Sequence, residues 1–562
     1  MTSGFFDEII AFVKESKPSK HALSLKKMEL CKRHKVKSNP TDIEVLLHAS
    51  RKDLPFLKKY LLTKPTRTIS GVAVVAVMTR PAPCPHGRCS MCPGGVDSVF
   101  GSVPQSYTGK EPATLRAIRN RYDPYLQVFN RLEQYVVLGQ DPSKVELIIM
   151  GGTFPSLPKG YKESFVRDCF KAMNDFSRLF FSKGSLDISR FRSFFGLPGE
   201  VGSASRVKSI HKKLLSLKTA GKTTLEKVQL RNEKAAVKCV GLTIETRPDF
   251  ARLKHARELL RLGCTRVELG VQSVYDEALE RISRGHSVYD SITAIRTLKD
   301  LGFKLNFHMM LGLPGVDPKK ELEGLEELFN NSNFKPDMLK LYPCMVLKGT
   351  RLFDEWKKGR FKPITTSQAA RLIRDFKKTV PEYVRIMRVQ RDIPTSQTAA
   401  GVDRTNLRQM IDEEMKRHGE KCRCIRCREI RGEAIREPVR QKIIMYNASF
   451  GKEYFISFED ASERLLGFCR LRIPSQPLVK EITGSSAIVR ELHVYGSAVA
   501  VGTSGGGKAQ HRGFGRRLMM MAERIAMDEG KVKVVVISGV GVRDYYRRLG
   551  YKKEGTYMVK SV

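Results

Sequence analysis

Little in this chain of 562 residues points to a membrane or to export. Its longest purely apolar run, GVAVVAVM from Gly71, is far short of the ~20 residues that span a bilayer. No lipidation motif is present. The opening MTSGFFDEIIAFVKESK mixes acids with apolar residues and has no cleavage pattern. The expectation is a cytoplasmic protein without a membrane partner. Internal repeats are also missing, which sets aside solenoid architectures. Acid is scarce relative to base: 59 Asp+Glu face 100 Lys+Arg, a formal charge of +41.

That excess is concentrated. Residues 1–70 hold 15 Lys/Arg against 7 Asp/Glu, residues 180–238 hold 13 against 4, and residues 416–442 hold 10 against 4. A basic surface repeated in separate segments fits a polyanion partner better than a solvated face does. In a cytosolic setting the 12 cysteines read as thiols, metal ligands or core residues rather than disulfides.

Residues 1–66 read as a basic, helical N-terminal segment. From residue 67 the pattern changes to six strand-like stretches, SGVAVVAVM, VELIIM, CVGLTIE, RVELGVQS, KLNFHMML and MLKLYPCMVL, most of them leading into a helix. Such alternation implies parallel βαβ units, and six are too few for a complete eight-fold barrel. The expected fold class is therefore α/β, with a partial (β/α) barrel over 67–395 interrupted by a basic insertion at about 177–225. A basic linker follows at 396–445, then a compact α/β domain at 446–562. Polar residues fall near the carboxyl ends of the barrel strands, where barrel chemistry resides: Cys84, Gly151, Gly152, Glu245, Gln272, Asn306 and His308.

The stretch CPHGRCSMCPGG sets Cys84, Cys89 and Cys92 in one loop after the first strand. Three thiolates are one short of a closed zinc cage, and His86 completing a zinc knuckle is one reading. The other is a 4Fe-4S cluster whose fourth iron is left open for S-adenosylmethionine, with Gly151 and Gly152 after the second strand holding the amino-acid end of that ligand. Glycines after Cys92 permit close backbone approach.

With these motifs the chain resembles the radical S-adenosylmethionine enzymes and, more narrowly, the Elongator protein 3 family. The resemblance runs from about Thr66 to the C-terminus through CPHGRCSMCPGG, SYTGKEPATLRAIRNRYDPYLQ, VELIIMGGTFPSLP, GLTIETRPD, ELGVQS, KLNFHMMLGLPG, CRCIRCREIRG, RELHVYG and QHRGFG. The first cysteine gap, Cx4C, departs from the Cx3C of most radical enzymes. The insertion has no counterpart in the resemblance.

Cys422, Cys424 and Cys427 form a second three-thiol group in the basic linker and suggest structural zinc, with Cys344 preferred over His418 as fourth ligand. Gln510 to Gly515, QHRGFG, fits the glycine loop that opens a helix in GNAT-type acetyltransferases. There Gly513, Gly515 and the helix N-terminus face the coenzyme A pyrophosphate. The strand edge Glu491, Leu492, His493 and Val494 is expected to bond the pantetheine arm. The resemblance implies that Phe514, Gly515 and Arg516 contact the coenzyme, that Tyr546 with Tyr545 lies near the thioester, and that Lys144 binds acetyl-CoA. Glu491, Tyr545 and Tyr546 are the candidate catalytic residues.

The resemblance implies a tRNA carboxymethyluridine synthase: a deoxyadenosyl radical activates the acetyl-CoA methyl, which adds to carbon 5 of the wobble uridine before the thioester is hydrolysed. Its implied partners are the tRNA anticodon stem-loop, acetyl-CoA, S-adenosylmethionine and an electron donor. A homodimer and accessory subunits are left open. The competing readings are a protein lysine acetyltransferase with a structural cluster, a tRNA-binding scaffold, and a radical methyl- or methylthiotransferase.

Overall fold

The computed structural model describes residues 3–36, 39–50, 52–61, 71–198, 203–431, 433–495 and 513–562. Its contacts divide the chain into two compact units, one made of Met1–Val75, Tyr125–Val145 and Arg167–Cys239, the other of Ala76–Pro124, Glu146–Val166 and Val240–Val562.

The first unit is largely helical. Helices α1 (Ser3–Ser16), α2 (Lys20–Arg33), α3 (Asp42–His48) and α4 (Leu54–Leu61) bear out the helical expectation for the N-terminal segment. Phe5, Ile9 and Val13 recur every four residues on α1 and are fully buried with Leu30, Val45, Leu57 and Leu61. Thr41 and Glu44 close a reciprocal capping box at the start of α3. The basic insertion belongs to the same unit. Its helices Ile188–Phe195 and Ala204–Thr219 are organised by phenylalanines: Phe180 lies 5.4 Å from Phe191 and 5.5 Å from Phe195 between ring centroids. Arg192 ties it to the N-terminal helices, donating to the carbonyls of Leu46 at 2.9 Å and Ala49 at 3.0 Å.

The barrel strands are β1 (Ala73–Met78), β2 (Lys144–Met150), β3 (Lys238–Thr246), β4 (Arg266–Gln272), β5 (Lys304–Leu311), β6 (Met338–Pro343) and β7 (Arg385–Arg388). They lie side by side in chain order, one strand more than the sequence pattern implies. The seventh, RIMR, has charges at both ends and only four residues, so it carries no apolar alternation. Pairing with β6 makes it a strand. The partial barrel and its parallel pairing from β3 onward are as expected.

A second seven-stranded sheet contains β8 (Arg440–Ala448), β9 (Gly451–Glu459), β10 (Leu465–Ile473), β11 (Ser486–Val494), β12 (Lys533–Val536), β13 (Lys552–Glu554) and β14 (Tyr557–Ser561). It starts at Arg440, inside the stretch read as linker. Only β11 and β12 pair in parallel, with register ending at Val489↔Val536. Beyond that point β11 continues to Val494 while β12 stops, so the two strands part. The helix Phe514–Asp528 packs against β10 and β11.

Within the second unit, which holds barrel strands β4 to β7 and the whole of the second sheet, the two sheets are joined by buried charge. Arg490 donates to Asp337 at 3.0 Å and 2.5 Å, to Glu453 at 2.9 Å, and to the Phe303 carbonyl at 2.7 Å. Arg472 bridges Asp300 and Glu453, and Arg470 holds Glu491 at 2.9 Å. Lys299 stands 3.9 Å from Asp337 and 3.8 Å from Glu453, and burial lowers its ammonium to about 8 against the pull of those carboxylates. Gly539 brings backbone to backbone: a Cβ there would lie 2.1 Å from the Val240 carbonyl oxygen. No described helix is long and apolar enough to cross a membrane.

Removing one member of such a network leaves its partners charged and unpaired. Asp337→Ala is expected to cost about 3–5 kcal/mol in equilibrium urea unfolding. The double variant Asp337→Ala/Arg490→Met should recover part of that loss.

Candidate active site

The first site is built at the carboxyl end of β1. The chain leaves the strand at Thr79, whose N–H donates to the Met150 carbonyl at 3.0 Å, and enters the cysteine loop. Two turns shape that loop: Gly87 N–H to the Cys84 carbonyl and Cys92 N–H to the Cys89 carbonyl, each 3.0 Å. Gly94 is obligatory, since a Cβ would meet the carbonyl oxygens of Pro104 and Tyr107 at 2.3 and 2.4 Å. This is the close backbone approach expected of the glycines after Cys92.

The three thiols have different surroundings. Cys84 is half-buried with the Thr153 hydroxyl 3.8 Å from its sulfur. Cys89 has His86 Nε2 at 3.2 Å and Arg284 Nη1 at 3.6 Å. Cys92 receives the Ser106 N–H at 3.2 Å and bonds Gln105 at 3.0 Å. Burial first, then the neighbouring thiols, raises the Cys92 pKa, and burial likewise raises that of Cys84. Near them His86 Nδ1, Arg247 Nη1 and Arg284 Nε are buried without a hydrogen-bond partner.

This donor set fits a polynuclear cluster better than one zinc ion. Thiolates sharing a tetrahedral zinc stand about 3.8 Å apart, as follows from a Zn–S bond near 2.3 Å. Cys84, Cys89 and Cys92 are not among the described groups whose ligand atoms all lie within 4.8 Å of one another. Cys422, Cys424 and Cys427 are such a group, with Cys424 and Cys427 sulfurs 3.6 Å apart, and they suit a single ion.

Cys344 is not brought to that group. It packs in the apolar cluster of Cys89, Met91, Cys92, Met310 and Leu313, where burial pushes its thiol up to about 12. Its sulfur is not grouped with those of Cys422, Cys424 and Cys427 among the described residues, so in place of the expected zinc ligand Cys344 is a core residue. His418 is exposed, with Nδ1 at 2.9 Å from the Glu414 carbonyl.

Gly151 and Gly152 follow β2 with φ of +125° and +98°. A Cβ on Gly151 would strike the Thr79 hydroxyl at 2.2 Å. Its N–H donates to Glu245 at the end of β3. Register places Glu245 beside Glu268, and His308 beside Lys340. Glu268 accepts from Asn306 at 3.3 Å, lies 2.9 Å from His308 Nε2 and pairs with Lys340. Burial favours a neutral Glu268, but Lys340 and His308 overcome it and hold the carboxylate well below the usual range. Glu245 accepts from the Tyr107 hydroxyl at 3.1 Å, and burial together with the Glu268 charge pushes it up to about 7. Gln272 has φ +71° at the irregular end of β4.

Sequence reasoning singled out Glu245, Asn306 and His308 but missed Glu268, Lys340 and Tyr107. Glu268 lies within ELGVQS, directly opposite Glu245 in a parallel pair, so strand register was the signal available.

The second site lies where β11 and β12 part. Among the described residues, Glu491, Leu492, His493 and Val494 pair with β10 on one side only. Arg470 holds Glu491; burial opposes its charge, but Lys304, Arg470 and His493 keep the carboxyl below the usual range. His493 is lowered to about 4 by burial, despite Glu491. Gly513 caps the following helix with φ +74°, and Phe514 packs 5.2 Å from Phe458. Arg516 is exposed. Gly515 leaves room for Tyr545, whose hydroxyl oxygen would be 2.6 Å from a Cβ there. Tyr546 is buried edge-on to Tyr545 at 5.3 Å. Burial pushes Tyr545 up to about 12 and raises Tyr546 further, so both hydroxyls stay protonated donors. Gln510 lies outside the described residues. Lys144 opens β2 in the first unit, half-buried, and burial lowers its pKa against Asp141.

Glu245 should protonate near pH 7, visible as a carboxyl band in infrared difference spectra titrated with pH. Tyr107→Phe removes a donor to the carboxylate and is expected to move that titration upward; an unchanged midpoint would show that the hydroxyl does not act on it.

The comparisons agree with this geometry. Residues 82–328 match the Radical SAM superfamily, residues 336–417 the Radical_SAM C-terminal domain, and residues 423–551 the Acetyltransferase (GNAT) family. A protein of Methanocaldococcus infernus called tRNA uridine(34) acetyltransferase is 44% identical, over 93% of this chain and 92% of its own. Elongator complex protein 3 of Danio rerio is 42% identical over 92% of this chain and 88% of its own. The solved archaeal M. infernus Elp3 with an N-terminal deletion (1–46) superposes with a TM-score of 0.71 at 39% identity, covering 88% of this chain and all of that one. A radical S-adenosylmethionine half-barrel joined to a GNAT-type sheet, with relatives this similar along nearly the whole length, makes the chain a member of the Elongator protein 3 family.

Proposed function

We propose that the chain is a tRNA carboxymethyluridine synthase acting on the wobble uridine. The observation that carries this reading is the presence, in one compact unit, of a three-thiol loop dressed for a cluster and a parted strand pair fit for an acyl-CoA. Its relatives' names, tRNA uridine(34) acetyltransferase and Elongator complex protein 3, support the substrate. The basic segments suit an RNA partner, in which phosphate contacts would give a steep salt dependence.

Cys84, Cys89 and Cys92 would hold a 4Fe-4S cluster. Together with S-adenosylmethionine it would supply a deoxyadenosyl radical able to take hydrogen from the acetyl methyl. The chain's own residues do the rest. Gly151 and Gly152 present backbone without side chains, Glu245 anchors the Gly151 N–H, and Leu492 to Val494 offer a strand edge to the pantetheine. Cys422, Cys424 and Cys427 would take zinc and fix the linker. The methyl carbon would add to carbon 5 of the uridine, the ring radical so formed would lose the carbon-5 proton to solvent and one electron to the oxidised cluster, and water would cleave the thioester, releasing coenzyme A and leaving a carboxymethyl group.

The competing lysine acetyltransferase needs a base to free an attacking amine, best tuned near the working pH. Glu491 is held by Arg470 and kept ionised, His493 is a weak base, and both tyrosines are donors. This favours polarising a thioester over deprotonating an amine.

The test is anaerobic reconstitution with iron and sulfide, then incubation with tRNA, acetyl-CoA, S-adenosylmethionine and dithionite. Deoxyadenosine and modified uridine are expected from the native chain, with a loss of at least a hundredfold in Cys84→Ala. Protein acetylation that survives Cys84→Ala, with no uridine product from a fully loaded native chain, would favour the acetyltransferase instead.

A further inference from the structure

The donors around the three thiols are unequal, and the inequality singles out Cys89. Its sulfur faces two nitrogens, His86 Nε2 at 3.2 Å and Arg284 Nη1 at 3.6 Å. Cys84 has a hydroxyl, and Cys92 a backbone N–H, while the Gln105 amide oxygen accepts from the Cys92 S–H. Among the described residues, Cys89 alone of the three has a permanent cation bonded to its sulfur, although Arg284 and Arg247 also act on Cys84 at longer range.

The chain holds that cation in place. Arg284 lies in a turn whose preceding residue, Ser283, has φ +54°, and its own N–H bonds the Leu279 carbonyl at 2.9 Å. Its Nη2 donates to the Gly270 carbonyl at 3.0 Å. A Cβ on Gly270 would lie 2.4 Å from that same nitrogen, so a side chain at 270 would displace the guanidinium. Gly285, at φ +70°, leaves room for His86, whose Cβ would be 2.7 Å from a Cβ there. The turn also docks on the cysteine loop through Ser90 N–H to the Ile282 carbonyl at 2.9 Å. Two glycines and one inter-loop bond thus serve the placement of Arg284 and His86 against Cys89.

The charge is also uncompensated. The neighbouring Arg247 is neutralised by a two-pronged pair with Asp249, both bonds 3.0 Å. Among the described residues no carboxylate pairs with Arg284, and its Nε is buried without a partner.

We propose that Arg284 sets the reduction potential of the cluster held by Cys84, Cys89 and Cys92, through a charge-assisted N–H···S bond to Cys89. Reduction adds one electron, supplied by a low-potential donor such as dithionite, and places extra negative charge on the iron and its sulfur ligands. A fixed cation bonded to one sulfur stabilises the reduced form and raises the potential, since hydrogen bonds to the sulfurs and local charge are what tune such clusters. Arg284 is a positioning and tuning residue; it reacts with nothing. The inference rests on the cluster reading of the site.

The test is an EPR-monitored redox titration of the reconstituted holoprotein without S-adenosylmethionine. At the native midpoint potential, Arg284→Gln should show a reduced-to-oxidised ratio about tenfold lower, equivalent to a shift of about 59 mV for one electron. Arg284→Lys, which keeps the charge but not the fork, should fall between. A fully iron-loaded Arg284→Gln with an unchanged midpoint overturns the proposal. The native protein grown with ¹⁵N-arginine gives a readout that needs no variant: pulsed EPR of the reduced cluster should show a weakly coupled ¹⁵N. Its absence also overturns the proposal. A native chain that forms no cluster signal at all refutes instead the reading of the site on which the proposal rests.

Discussion

Four cations and four carboxylates, Lys299, Arg470, Arg472 and Arg490 with Asp300, Asp337, Glu453 and Glu491, are buried where the barrel sheet meets the acyl-CoA-type sheet. Removing so much charge from water is expensive, and apolar residues of similar volume would often be at least as stable. What the charges add is orientation. Each guanidinium has a fixed set of oxygens to meet, so the two sheets can dock in one arrangement and not slide. Arg490 is the pivotal member. It sits at the bulge where β11 shifts register against β10, one residue before the strand edge Glu491–Val494. The contact that fixes the barrel to the second sheet therefore also fixes the edge proposed to hold the acyl group.

On the barrel side the organising device is strand register. Parallel pairing sets Glu245 beside Glu268, Glu268 beside Asn306, and His308 beside Lys340. Two acids forced into adjacency cannot share one protonation state. Lys340 and His308 keep Glu268 charged, and Glu245, facing Tyr107 and the Gly151 N–H, takes the higher pKa. A divided pair of this kind holds one fixed negative charge and one exchangeable proton at the mouth of the barrel.

The sequence made some of this legible and hid the rest for physical reasons. The cysteine loop, the paired glycines and the glycine loop near Phe514 announce themselves because their chemistry demands fixed spacing. Long apolar strands such as VELIIM and KLNFHMML do so through their pattern. β7 did not, because RIMR is too short and too charged to show one. The buried arginines of LLGFCRLRI and IVREL look like solvated residues on alternating strands, and only the opposing sheet reveals their partners. Cys344 read as a zinc ligand because proximity in space cannot be inferred from thiol content alone; the structure packs it among methionine and leucine. Arg284 left no sequence signal beyond two glycines whose purpose appears only in three dimensions.

Rigid docking of the two sheets matters if a radical generated at one site is to act on an acyl group held at the other, since positioning is what converts two binding sites into one reaction. The most direct measurement is deuterium transfer from trideuteroacetyl-CoA, followed by mass spectrometry of the nucleoside products. Deoxyadenosine carrying one deuterium, formed together with a carboxymethyl group that retains two, is the predicted result. Deoxyadenosine formed without deuterium, alongside an acetylated product that keeps all three, would contradict the account.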